Sequence, residues 1–194
     1  MSSVVDVCNS ALQKLGADRI ASLSDNNKNA RAVNNAYARL RDKLLRQKAW
    51  GFAIKRAELA ASSTDPLFGP AKQYPIPSDF LRLLAPDKEA NLNSLDWRIE
   101  RGPAGRVIVT EDGAPLQIRY VSQVTDPNEM DALFLELWAV ELALDICQEI
   151  TGSNTKKEAL REDRKLIMSE AKQVNAFEST AAEPPEDTWV TVRA

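Results

Sequence analysis

Three carboxylates, Glu141, Asp145 and Glu149, recur at four-residue intervals, a spacing that stacks them on one face of a helix. Such a ladder could seat a divalent cation or supply the carboxylate pair of a glycosidase. No matching second set of ligands is visible in the sequence, so a solvated or salt-bridged face is the better reading. Ser153 and Lys156 have the Ser-x-x-Lys spacing of serine acyl enzymes, and Ser24-Asp25-Asn26 matches their second element, but the order is reversed and Lys-Thr-Gly is missing. Both stretches fall where helix N-caps are expected. Glycine-rich phosphate loops, a nucleophile elbow and paired-cysteine metal sites are missing as well. The chain has no histidine, which removes the usual neutral-pH base, the nucleophile systems built on it and the commonest transition-metal ligand. Cys8 and Cys147, the only cysteines, each lie among apolar helical residues, as buried thiols do. The sequence therefore predicts no enzyme, no catalytic or metal-binding residue and no cofactor.

The charge that remains is segregated. Ala30, Val33, Tyr37, Leu40 and Leu44 form one helical stripe. Around it stand Lys28, Arg31, Arg39, Arg41, Lys43, Arg46, Lys48, Lys55 and Arg56, opposed over that span only by Asp42. Asp126 to Ile150 is the reverse, with Asp126, Glu129, Asp131, Glu136, Glu141, Asp145 and Glu149 and no Lys or Arg. Two complementary charged helices suit contact with an acidic and a basic surface, in the same subunit or in a neighbour. Exposed ion pairs contribute only about 0–1 kcal/mol each, so such charges set orientation and partner choice more than affinity.

A chain of 194 residues suits one domain, which at this size buries roughly 70% of its unfolded surface. Hydrophobic and charged shares of 44% and 27% exclude wholesale disorder. Net charge −3 and a pI of about 5.2 argue against a free-standing nucleic-acid binder. No apolar run reaches the roughly 18 residues a bilayer span needs, and no signal-peptide pattern opens the chain, so a soluble protein made in a cytoplasm is expected.

The elements that would position these residues follow from periodicity and punctuation. Helices are predicted over about 3–15, 25–49, 127–150 and 154–177, and strands over about 52–59, 96–101, 106–111 and 115–122. Ser2 or Ser3 caps the first helix and Gly16 ends it; Ser24 or Asp25 caps the second; Asp126 and Pro127 open the third. Thr151-Gly152-Ser153 separates the third helix from a fourth that buries Leu160, the stem of Arg164, Ile167, Ala171 and Val174. Pro66, Gly69, Pro70, Pro75 and Pro77 mark 61–77 as a long surface loop, and 78–84 is too short to assign. Asp112-Gly113 favours a tight hairpin, so the last three strands assemble as an antiparallel meander. The fold class is α+β: a predominantly helical bundle with a small meander as one domain over 1–178, then an extended tail over 179–194. In that tail Trp189, Val190 and Val192 alternate like a strand that docks on another protein.

This order of elements resembles the tail tubular protein A family, the head-to-tail adaptors of short-tailed bacteriophages. The likeness is carried by Ala11, Leu12, Leu15 and Gly16, by Ile20-Ala21-Ser22-Leu23, by Tyr37, Arg41 and Leu45, and above all by Trp50-Gly51-Phe52-Ala53. Tyr74, Pro77, Asp79, Leu81 and Leu83 extend it, and it covers most of residues 3–178. The resemblance implies a non-enzymatic virion protein at the head–tail junction. Copies form a ring, a dodecamer, between the portal protein and the next tail component, a nozzle or tail tubular protein B-like part. The ring extends the channel through which DNA passes without sequence-specific binding. On that reading Arg31, Arg39, Lys43 and Arg46 meet Glu136, Glu141, Asp145 and Glu149 of a sister copy, since a head-to-tail ring joins two different faces. Trp189, Val190 and Val192 dock on the portal, and the meander and the 61–77 loop face the next tail component. A lumen lined with cations would grip the passing duplex, so the cations of the second helix are expected to face protein. The alternative is a small accessory nucleic-acid-binding protein using the basic face of residues 28–56.

Overall fold

The computed structural model describes residues 2–84, 97–102 and 105–178. Four helices and two three-stranded antiparallel sheets make up these residues, so the α+β class holds. The proposed docking residues Trp189, Val190 and Val192 lie outside the described residues.

Helix α1 (Val4–Leu15) starts with a reciprocal capping box. The Ser3 hydroxyl accepts from the Asp6 amide at 3.1 Å, and the Ser3 amide donates to the Asp6 carboxylate at 2.8 Å. It ends at Gly16, whose φ of 69° is left-handed. Helix α2 (Lys28–Gln47) is capped by Asn27, which accepts from the Ala30 amide at 2.8 Å, and not by Ser24 or Asp25. Asp25 instead accepts from the amides of Ala21 and Ser22, fixing the preceding turn.

Helix α3 (Ala132–Thr151) buries residues on most of its circumference and packs against α1, α2 and the last helix, α4 (Asn154–Phe177). Asp126 and Pro127 open a separate single 3-10 turn, Pro127–Glu129, while Asp131 caps α3 by accepting from the amides of Leu133 and Phe134. At the other end Gly152 adopts φ 62° and Ser153 caps α4, accepting from the Lys156 amide. Of the residues expected inside α4, Leu160 and Ala171 are buried, but Val174 is exposed.

Trp50 ties the helices to the sheets. It is 1% exposed, its ring meets Phe134 edge-on at 5.2 Å and stacks on Phe52, and its indole N–H donates to the Leu44 carbonyl at 3.0 Å. The chain then makes a short 3-10 turn, Gly51–Ala53, before strand β1 (Ile54–Leu59). The remaining strands are β2 (Lys72–Pro75), β3 (Phe80–Leu83), β4 (Arg98–Gly102), β5 (Gly105–Thr110) and β6 (Leu116–Ser122).

Only part of the expected meander forms: β4 and β5 pair antiparallel, but β5 and β6 do not pair. One sheet has the order β1-β6-β3 and the other β2-β5-β4, so β5 and β6, consecutive in sequence, belong to different sheets and Asp112-Gly113 joins the two sheets where a hairpin was expected. Strand β2 lies inside the stretch expected to be loop, with Pro75 at the end of an edge strand where no ladder donor is needed. Leu59, Tyr74, Phe80, Leu83, Ile108, Leu116, Ile118 and Tyr120 fill the core between the two sheets. Val121 and Val124 join the larger helical core, so β6 alternates between two interiors: Leu116, Ile118 and Tyr120 toward the sheet core, Val121 toward the helices.

Candidate functional site

Most of the charged residues expected to join two copies pair within one chain. Arg39 Nη2 donates to the Asp145 carboxylate at 2.8 Å, Lys43 Nζ to Glu141 at 2.5 Å, and Lys14 Nζ to Glu136 at 2.5 Å. Lys28 Nζ reaches the backbone carbonyl of Glu149. Rising numbers on α2 meet falling numbers on α3, so the two charged helices lie antiparallel and neutralise each other. Arg46 donates to the Leu81 carbonyl at the start of the first sheet, and Arg31 to Asn26 in the preceding turn. Of the residues expected to meet a sister copy, Arg39, Lys43, Glu136, Glu141 and Asp145 thus have ionic partners in their own chain, Arg31 and Arg46 meet uncharged oxygens, and Glu149 is engaged through its backbone carbonyl. Complementary charge in a sequence does not distinguish a partner in the same chain from one in a neighbour, and within the bundle the near partners pair.

Glu141 is the centre of this pairing. It is 6% exposed and accepts from Lys43 of α2 and from Arg164 Nε of α4, so one carboxylate clasps three helices. Burial pushes its pKa up, but the two donors and their charges outweigh that and leave it below the ordinary glutamate value. It is thus ionised and saturated with donors, the opposite of a poised acid or base. Asp145, one turn on, is engaged by Arg39. Among the described residues no group of three or more acidic or cysteine side chains is arranged to hold a metal ion.

The Ser-x-x-Lys stretch resolves into helix chemistry. Ser153 Oγ caps α4, while Lys156 Nζ reaches away to the Leu15 carbonyl at 2.6 Å, closing the C-terminus of α1 with a cation where the helix dipole favours one. Cys8 and Cys147 are buried free thiols; burial pushes the Cys8 thiol up to about 12, which leaves it unreactive.

A polar network that the sequence did not reveal lies on the first sheet. Asp79 accepts from Lys55 Nζ at 2.8 Å and from the Tyr120 hydroxyl at 3.0 Å. Burial and then the Asp79 bond raise the Tyr120 phenol to about 12. For Asp79, burial works upward, yet the two hydrogen bonds and the Lys55 charge bring it below the usual aspartate value. The tyrosine is thereby a fixed donor, and the network locks the turn before β3 onto β6.

No protein-family model matches this chain and no curated protein matches it. The polar clusters around Glu141 and Asp79 are internal fastenings. Alongside exposed charged residues, four large apolar side chains protrude: Leu67 and Phe68 at the tip of the loop before β2, and Leu166 and Phe177 on α4, each more than half exposed. The signal for the loop tip was present in the sequence, as two large apolar residues enclosed by Pro66 and Pro70, where a solvated turn would carry polar side chains.

Proposed function

We propose that this chain is a structural virion protein, a head-to-tail adaptor whose copies form a ring between portal and tail and extend the DNA channel. The observation that carries the reading is the division of labour in its surface. The acidic-ladder residues Glu141 and Asp145, with Glu136, are engaged in holding α1, α2, α3 and α4 together, while Leu67, Phe68, Leu166 and Phe177 stand out into solvent, as residues of assembly surfaces do. The Trp50-Gly51-Phe52-Ala53 segment, strongest in the resemblance, is the packed junction between helices and sheets, which supports a shared fold. No helix among the described residues is long and apolar enough to cross a membrane. The C-terminal segment docks on the portal, and the sheet end of the molecule faces the next tail component.

Purified chain mixed with assembled portal rings of candidate short-tailed phages is expected to give, by electron microscopy, a twelve-fold collar on one portal face. Deleting residues 183–194 is expected to abolish that collar without altering the fold. Failure to decorate any such portal, with the chain folded, overturns the adaptor reading.

The accessory nucleic-acid-binding alternative is weakened by the same pairing. Of the basic stretch, Arg39, Arg41, Lys43 and Lys55 each sit on a carboxylate, and Lys28, Arg46 and Lys48 on carbonyls. A gel shift on duplex DNA is accordingly expected to show no retardation at 150 mM salt. Tight binding with a log–log salt slope of about −5 or steeper, the mark of six or so phosphate contacts, would favour the alternative.

A further inference from the structure

The loop before β2 is fastened at both ends and free at its tip. At its start the Ser62 amide donates to the Gln73 carbonyl at 2.8 Å, and Gln73 Nε2 donates to the Thr64 carbonyl at 2.6 Å. At its return the Ala71 amide donates to the Glu111 carboxylate at 3.0 Å. Between these ties Asp65-Pro66-Leu67-Phe68-Gly69-Pro70 projects, stiffened by its prolines and turned by Gly69 at φ 88°. Leu67 is 99% and Phe68 89% exposed. Burying one such side chain is worth about 1.5–3 kcal/mol, and the isolated chain forgoes both.

A cavity of about 270 Å³ opens at the base of the same loop, lined among others by Thr64, Gln73, Pro75, Ile76, Arg106 and Val107. Pockets for small ligands run from roughly 300 Å³ upward, so this one suits one or two side chains better than a cofactor. Pro75, Ile76 and Val107 make apolar wall. Arg106 supplies a guanidinium whose stacking habit is already on view, since it lies 5.6 Å over the Phe80 ring and donates to the Phe80 carbonyl at 3.0 Å. An aromatic ring entering the cavity meets a cation and hydrocarbon together. The chain's own Phe68 does not fill it: Thr64, part of the wall, is held by Gln73 only four residues earlier, and the tip is directed into solvent.

We propose that the Leu67–Phe68 tip of one copy seats in the Thr64–Gln73–Arg106 cavity of a second copy. Every copy carries both knob and socket, and the two are different surfaces. The contact is therefore heterologous and repeats from copy to copy, closing into a ring when the rotation closes. A desolvated aromatic knob in a socket is the anchor of such an interface, with the surrounding loop surfaces as its rim. This inference rests on the ring reading above and names one contact that would join its copies.

The test is photo-cross-linking of the full chain with p-benzoylphenylalanine in place of Phe68, irradiated alone over a concentration series and again with the portal ring that it decorates. Covalent dimers whose linked peptides map to residues 73–78 or 105–107 are the expected result. No dimers under either condition, links within one chain only, or links to any other surface or to the portal or tail component overturn the proposal. Phe68→Asp, at a solvent-exposed position, is expected to keep the wild-type circular dichroism spectrum and to weaken copy–copy association at least tenfold; unchanged association overturns the contact. Portal decoration is read independently. Decoration with links outside the socket removes this contact and keeps the adaptor, whereas socket links with no portal decorated do the reverse.

Discussion

Trp50→Ala is expected to lower the unfolding free energy by about 4 kcal/mol, within the range of about 3–5 kcal/mol for deleting a buried aromatic side chain. The site cannot collapse easily around the gap. Trp50 is wedged between Phe52 and Phe134 in the helical core, and its N–H satisfies the Leu44 carbonyl near the end of α2. For a chain of this length about 4 kcal/mol corresponds to a fall in Tm of roughly 8–16 °C. Trp50→Phe retains most of the ring contact but not the hydrogen bond, and is expected to cost about half as much. Thermal and urea unfolding followed by circular dichroism measure both. A loss under 1 kcal/mol for Trp50→Ala would show that the junction is not where the stability lies.

Glu141→Gln is expected to cost about 2–3 kcal/mol at pH 7 and to change how stability responds to acid. Removing one member of a buried ion pair typically costs about 3–5 kcal/mol; Lys43 is half exposed and rehydrates, which trims the loss, while Arg164 is left facing a neutral amide. The sign of the pH effect follows from the lowered pKa. Because the folded carboxyl titrates below the unfolded value of 4.5, the stabilisation is fully present above that pH and is lost as pH falls through the folded value. Wild type and Glu141→Gln are therefore expected to converge in stability as pH is taken from 7 to below 4. Asp79, also lowered, adds acid sensitivity to both proteins alike. A gap between the two that stays constant down to pH 3 would contradict the three-helix clasp.

Helix boundaries were legible wherever a side chain or a glycine closes the helix by itself. Ser3, Gly16, Gly152 and Ser153 do so with local bonds that need no tertiary context. The start of α2 was misplaced because Ser24, Asp25 and Asn27 are all competent caps, and the choice fell to the turn that Asp25 holds with Ala21 and Ser22. The start of α3 was misplaced because Asp126-Pro127 carries a true helix-opening signal that drives only one 3-10 turn before Asp131 repeats it. Strand alternation identifies β1, β4, β5 and β6 but carries no information about partners, so a hairpin at Asp112-Gly113 is the local inference, whereas packing of both sheets over one core sets the outcome. Four residues between prolines were too few for β2 to announce itself. Complementary charge on α2 and α3 signals pairing, and pairs do form within the chain; sign and spacing are the same whether the partner lies in the same copy or in a neighbour.

Among the described residues the sheet β2-β5-β4 contributes no side chain to the helical core; the two interiors share only the wall that β6 and its neighbours form. The outer sheet is consequently an interchangeable cap on a constant base. Insertions, deletions or new loops there would leave every fit among the helices unaltered.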